Sequence, residues 1–190
     1  MHFDVPKAVW IAWMAVGVLW LITTLNTKPA VRVQSLRSRI IHVCFLVIAF
    51  FLLFNKNLAL GPLAWRLVPA SPLVSYIGFG LTLLGIFFMV WARLFIGRNW
   101  SSWVTVKQDH RLIRTGPYSI VRHPIYSGML LGLFGTAIVT GELRCLIGLA
   151  LAVIGLRQKS LIEEHFMTEQ FGAEYDGYKR DVKALIPFVW

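Results

Sequence analysis

The sequence predicts an all-α integral membrane protein with about five transmembrane helices, the last two forming a helical hairpin. Three observations predict it. Five apolar runs follow one another along the chain, and the basic residues concentrate in alternate connections between them. Two polar clusters, residues 116–128 and 157–164, then flank the last pair of runs. Hydrophobic residues make up 57% of the 190, and charged residues only 15%, against about 25% charged in a soluble domain. The length suits a single domain, with residues 1–96 carrying three helices and 97–190 a polar, chemistry-bearing half.

A helix needs roughly 20 apolar residues to cross a bilayer. The first candidate spans residues 8–25 and stops at Asn26-Thr27-Lys28-Pro29. Only Lys7 precedes it as a basic residue and no small-residue cleavage site follows, so a membrane helix is expected rather than a cleaved signal. The second spans 40–54. The third, 73–96, carries Gly78, Gly80 and Gly85, which let neighbouring helices approach closely. The fourth and fifth, 125–140 and 143–156, break at Gly141-Glu142 and are short for spans, as expected of a tight or tilted hairpin. Cys44 and Cys145 both fall inside apolar runs and read as small buried residues without disulfide or metal spacing.

Charge orients these helices. Residues 26–39 hold Lys28, Arg32, Arg37 and Arg39 without an acid, and 97–124 hold Arg98, Lys107, Arg111, Arg114 and Arg122 against one Asp. Residues 55–71 hold only Lys56 and Arg66. The positive-inside tendency therefore predicts that 26–39, 97–124 and the tail lie in the cytoplasm, with both polar clusters, and that 55–71 lies outside. The net charge of +10 is assigned to topology and lipid headgroups, because no basic segment interleaves aromatics as a nucleic-acid surface would.

The connection 97–124 is too long for a passive linker. Trp100 and Trp103 suit a membrane-interface belt. Residues 110–118 read as a short strand or turn ending at Gly116-Pro117, and His123-Pro124 as a helix start, with proline at the first helical position. The tail holds six of the nine acidic residues. The fifth helix is expected to run to about Gln170 and end at Phe171-Gly172. Phe171, Tyr175, Tyr178 and Val182 recur at helical spacing, so a short helix should fold back, its aromatics serving packing. His42 reads as structural and Glu142 to Arg144 as a turn.

These blocks, His110-Arg111-Leu112, Gly116-Pro117-Tyr118, Arg122-His123-Pro124-Ile125-Tyr126, Glu163-Glu164, Phe171-Gly172, Tyr175, Tyr178 and Ile186-Pro187, together resemble the isoprenylcysteine carboxyl methyltransferase family. A wider group of membrane phospholipid methyltransferases surrounds it. The match covers residues 97–187. The resemblance implies a multi-pass membrane enzyme that transfers methyl from S-adenosyl-L-methionine, without a Rossmann core. No glycine-rich strand–helix turn occurs here.

Carried over, the resemblance lines the cofactor with His110, Arg111, Leu112, Ile113, Tyr118, His123, Pro124, Ile125 and Tyr126. It adds a tail carboxylate, best matched by Glu163, with Glu164 beside it. The family's substrate-side arginine corresponds to Lys159, and Arg157 lies close enough to substitute. Arg122, Arg157 and Lys159 are then expected to form the positive end of the site, facing a lipophilic or lipid-modified acceptor that enters from the bilayer.

The residue types suit that chemistry. A glutamate pairs with the cofactor's ammonium, and backbone amides at the helix start after His123 suit its carboxylate. Methyl transfer is an in-line displacement that needs alignment and exclusion of water, without a metal. A carboxylate or thiol acceptor of the isoprenylcysteine type is the first reading. Phosphatidylethanolamine N-methylation is the second, and a non-catalytic lipid-binding scaffold is an alternative of another class.

Overall fold

The computed structural model describes residues 3–24, 30–33, 35–97, 100, 105–107 and 112–189. Among the described residues, six α-helices follow one another: α1 Val5–Thr24, α2 Leu36–Phe54, α3 Pro72–Ile96, α4 Pro124–Thr140, α5 Leu143–Phe171 and α6 Ala173–Asp181. Four of them, α1, α2, α3 and α5, are long and apolar enough to cross a bilayer. At 17 residues, α4 is about 26 Å long, shorter than the roughly 30 Å hydrocarbon core. Its length matters little to its solvation, because α4 is the most enclosed helix: Gly128, Gly132, Leu133, Gly135, Thr136 and Ala137 are all buried.

Glycine decides how α4 packs. A Cβ on Gly85 would lie 2.3 Å from the Gly132 amide nitrogen, and one on Gly135 would lie 2.5 Å from the Gly78 carbonyl oxygen. The α3 and α4 backbones are therefore in contact, the arrangement small residues permit in membranes. Between them Thr82 donates to the Gly78 carbonyl at 2.9 Å, a back-bond that satisfies a hydroxyl in an apolar core. Thr136 accepts from the Trp13 indole at 3.0 Å, which anchors α1 to the pair. The remaining long helix, α5, packs chiefly along α2, where Gly148 meets Leu53 and Gly155 meets Phe45.

The predicted break between α4 and α5 falls at Gly141, in a left-handed conformation with φ +73°. Its carbonyl accepts from Leu67 at 2.8 Å, and Leu143 donates to Trp65 at 2.9 Å. Arg144 donates to Glu142 at 2.5 Å and also reaches the Leu52 and Leu53 carbonyls. It thereby satisfies open carbonyls at the end of α2. This is the end opposite the polar clusters.

Two expectations need correction, beside one addition to the all-α architecture: β1, Ala30–Val33, pairs antiparallel with β2, Thr105–Lys107. Joining the two basic connections in this way puts both at one end of the bundle. Cys145 is buried but Cys44 is exposed, because its face of α2 looks outward where lipid would lie. Trp100 packs inward, with the Arg93 guanidinium 4.1 Å from its ring centre and Trp20 edge-on at 6.1 Å. Arg93 is 2% exposed and also donates to the Thr23 and Gly97 carbonyls, so Trp100 closes a clamp rather than lying in a belt. Trp103 lies outside the described residues.

Candidate active site

The site forms where the connection into α4, the polar half of α5 and the tail meet. Pro117 and Tyr118 sit in a single 3₁₀ turn, Gly116–Ser119, that buries both. The chain then extends, and the Arg122 and His123 amides donate to the Lys183 and Ala184 carbonyls at 2.8 and 3.0 Å. The tail thus pairs with this stretch as a strand would. His123 is the N-cap of α4 and Pro124 its first residue, as the sequence indicated.

Two carboxylates on consecutive residues of α5 receive this loop. Glu164 Oε1 accepts from Arg122 Nε at 3.1 Å and Nη2 at 2.6 Å, and lies 3.1 Å from His123 Nε2. Glu163 Oε2 lies 3.3 Å from His123 Nδ1, and the Tyr126 hydroxyl donates to Glu163 Oε1. His123 thus bridges both glutamates, one with each ring nitrogen. Its ring stacks on Tyr126, with centres 5.5 Å apart and planes within 6°. Burial opposes protonation of His123, but hydrogen bonds and charge from Glu163 and Glu164 outweigh it and hold its pKa above the ordinary value.

The tail is fastened by its own polar contacts. The Tyr178 hydroxyl donates to the Tyr118 carbonyl, and Ser127 Oγ donates to the Leu185 carbonyl at 2.6 Å. Arg122 Nη1 donates to the Lys179 and Val182 carbonyls. Helix α5 ends at Phe171 and Gly172 turns the chain with φ +51°, so α6 folds back with Tyr175 and Tyr178 buried. Burial pushes the Tyr118 phenol well above its ordinary pKa, which keeps it neutral.

The structure sorts the sequence-derived site residues. Tyr118, His123, Pro124, Ile125, Tyr126, Glu163 and Glu164 share one cluster, all but the glutamates buried. Leu112 and Ile113 are half-buried beside it, and Ile113 joins the core. His110 and Arg111 lie outside the described residues. Arg122 spends its guanidinium on Glu164 and on tail carbonyls, so in this structure it braces the fold and does not face outward toward an acceptor. Lys159 Nζ sits 5.4 Å from the Tyr126 ring centre, one turn before Glu163. Arg157 donates to Ser160 at 3.3 Å on another face of α5, since residues two apart on a helix point away from each other. The expected cluster of three cations is therefore divided. Pro124 has no N–H, and the Tyr126 and Ser127 amides already donate to the His123 carbonyl at 3.0 Å, so the helix start offers fewer free amides than expected. Ser127 and Tyr178 were missed as polar clamps. Their only signal was one helical turn from His123 and from Tyr175.

Comparison with known proteins shows the family. Residues 73–174 match the phospholipid methyltransferase family model. The chain is 30% identical over 165 residues to protein-S-isoprenylcysteine O-methyltransferase B of Arabidopsis thaliana, covering 78% of this chain and 83% of that protein. A cobalt-zinc-cadmium resistance protein of Cupriavidus metallidurans is 31% identical over 150 residues, 77% of this chain and 63% of its own length. Among solved structures, the eukaryotic intramembrane Ras methyltransferase, isoprenylcysteine carboxyl methyltransferase, aligns with a TM-score of 0.55 at 27% identity. That match covers 84% of this chain and 55% of the solved one.

Proposed function

Since the chain belongs to the phospholipid methyltransferase family, alongside the isoprenylcysteine O-methyltransferases, we propose that it transfers methyl from S-adenosylmethionine to the carboxylate of a lipophilic acceptor. The observation that carries this reading is the half-buried Glu163–Glu164 pair, gripped by His123, Tyr126 and Arg122 at one end of an apolar bundle.

The residues fit the cofactor's amino-acid end. Glu164 is committed to Arg122 and keeps 13% of its side chain exposed, whereas Glu163 keeps 23%. A ligand ammonium would therefore reach Glu163, whose carboxylate accepts charge-assisted hydrogen bonds. Leu112, Ile113 and Tyr118 would supply apolar faces for the rest of the molecule, and burial of the cluster excludes water. When bound, S-adenosylmethionine supplies a methyl on a sulfonium; displacement by a carboxylate forms the new oxygen–carbon bond, breaks the carbon–sulfur bond and leaves a neutral thioether.

That reaction needs no proton transfer, which suits this cluster. Glu163 and Glu164 favour the protonated form of His123, which disfavours it as a base, whereas an ammonium acceptor must first lose a proton. The basic connections favour a cytoplasmic site by the positive-inside tendency. Purified protein supplied with methyl-tritiated S-adenosylmethionine and either N-acetyl-S-farnesylcysteine or phosphatidylethanolamine tests the reading. The expected product is a base-labile methyl ester. Base-stable label on the phospholipid would replace the carboxylate with an amine, and no labelled product from either would end the proposal.

A further inference from the structure

The tail does two opposite things within a few residues. Ala184 and Leu185 are buried at 5% and 2% exposure, whereas Ile186, Phe188 and Val189 stand 48%, 95% and 74% exposed. Residues 186–190, Ile-Pro-Phe-Val-Trp, carry no charged side chain. Among the described residues, Phe188 is the one non-glycine with a positive φ, +63°, a conformation rare for a bulky side chain. The turn that holds it there, closed by the Val189 amide on the Ile186 carbonyl at 3.2 Å, leaves the ring outside the protein. Backbone strain of this kind persists where something else rewards it, and at 95% exposure the ring gains almost nothing from its own chain.

The place of this turn says what rewards it. Ser127, one turn inside α4, donates to the Leu185 carbonyl at 2.6 Å, so the tail reaches Leu185 where α4 enters the apolar bundle. Other apolar side chains are open near this end: Leu94 and Phe95 in the last turn of α3, at 57% and 43%, and Ile120 at 42%. Phe95 packs against Tyr118, ring centres 6.5 Å apart, which ties the end of α3 to the same loop. Arg180 and Lys183 precede the turn and are exposed, with Asp181 between them. Apolar side chains continuous with a lipid-facing helix and rimmed by cations match the boundary between acyl chains and phosphate headgroups.

We infer that residues 186–189 dock into the phospholipid leaflet beside the site, with Arg180 and Lys183 meeting lipid phosphates, and that this docking holds the tail on His123. The coupling follows from adjacency. The Lys183, Ala184 and Leu185 carbonyls, which accept from the Arg122 and His123 amides and from Ser127, immediately precede the docked turn. A tail fixed at both ends of this short stretch cannot peel from the loop without drawing Phe188 out of lipid. The inference does not depend on which acceptor is methylated.

The test uses the full chain in phospholipid nanodiscs. In a Cys44→Ser background, Phe188→Cys carries an environment-sensitive fluorophore, and quenching by doxyl-labelled phosphatidylcholine is compared with quenching by aqueous iodide. Doxyl lipid is expected to quench and iodide to have little effect, in discs holding one chain. In parallel, hydrogen exchange is followed in wild type and Phe188→Asp, a change at an exposed position that leaves the core intact. Protection of the Arg122 and His123 amides should fall about tenfold or more, the scale of one large apolar side chain losing its burial. The Leu133 and Ala137 amides, in the α3–α4 contact, should be unchanged. Iodide quenching without doxyl quenching overturns the docking by placing the turn in water. A label shielded from iodide only in discs holding two chains overturns it in favour of a second copy. Doxyl quenching with unchanged Arg122 and His123 protection in Phe188→Asp overturns the coupling to the site. Neither arm uses methyl transfer, so failure here leaves the proposed reaction standing.

Discussion

Arg122 and Glu164 meet at 2.6 Å although 42 residues separate them in the chain. The pair joins the connection before α4 to the far end of α5, and Arg122 ties both to the tail through the Lys179 and Val182 carbonyls. Neither side chain is more than 13% exposed, so each depends on the other for solvation. Glu164→Ala is expected to lower stability by about 3–5 kcal/mol, the cost of leaving a buried charge unpaired. The combined Arg122→Met, Glu164→Met protein should recover most of that loss. Thermal melting in detergent measures both, and a double variant no more stable than Glu164→Ala would show that the pair is not the source of the effect.

Glu163 should behave differently from its neighbour. Glu163→Gln keeps a partner for the Tyr126 hydroxyl but removes the charge that would meet the cofactor's ammonium. Binding of S-adenosylhomocysteine should fall about tenfold to a hundredfold with only a small change in melting temperature. Calorimetry on Glu163→Gln and Glu164→Gln separates the roles, and equal binding by both variants and wild type would remove the pair from the cofactor site.

Protonation of His123 gives a pH dependence of definite sign. Its folded-state pKa lies above the ordinary 6.5, so the native state holds a proton that the unfolded chain releases more readily. That contribution to stability is fully present below pH 6.5, declines as pH rises, and is gone above the folded value. The melting temperature of wild type relative to His123→Asn should therefore shrink from pH 6 upward. A difference that grows with pH would contradict the geometry around this ring.

The α3–α4 contact leaves no room for a methyl group. Gly85→Ala would place a carbon 2.3 Å from the Gly132 nitrogen and 2.6 Å from the Gly128 oxygen, both backbone atoms. Overpacking of this kind costs at least about 1–3 kcal/mol, and α4 carries His123 and Tyr126 into the site. Gly80→Ala, with nothing within 4 Å of its new carbon, serves as the control. Monodisperse yield and melting temperature should drop for Gly85→Ala alone.

Topology is open to direct labelling. In a Cys44→Ser background, a cysteine at Asn57 should react with an impermeant thiol reagent added outside the cell, and one at Leu36 should not. The remaining Cys145 is buried. Reversed labelling would move the carboxylate cluster to the other face of the membrane.

The sequence by itself determined the helices, their order and their breaks. Apolar runs, Pro124, Gly141 and Gly172 act locally, through burial and backbone freedom within a turn or two, so their effect is legible in the chain. It also marked the polar clusters, because ionisable groups stand out against an apolar background, and the family resemblance singled out His123, Tyr126, Glu163 and Glu164 within them. What only the tertiary structure decided is how those groups are shared. Consecutive glutamates look equivalent in sequence, yet helical geometry gives Arg122 to Glu164 and leaves Glu163 more open. Arg122, Arg157 and Lys159 look like one positive cluster, yet they end on different faces and against different partners. Charge and hydrogen bonding act through space over a few ångströms, and which side chains come that close is fixed by helix packing rather than by spacing along the chain.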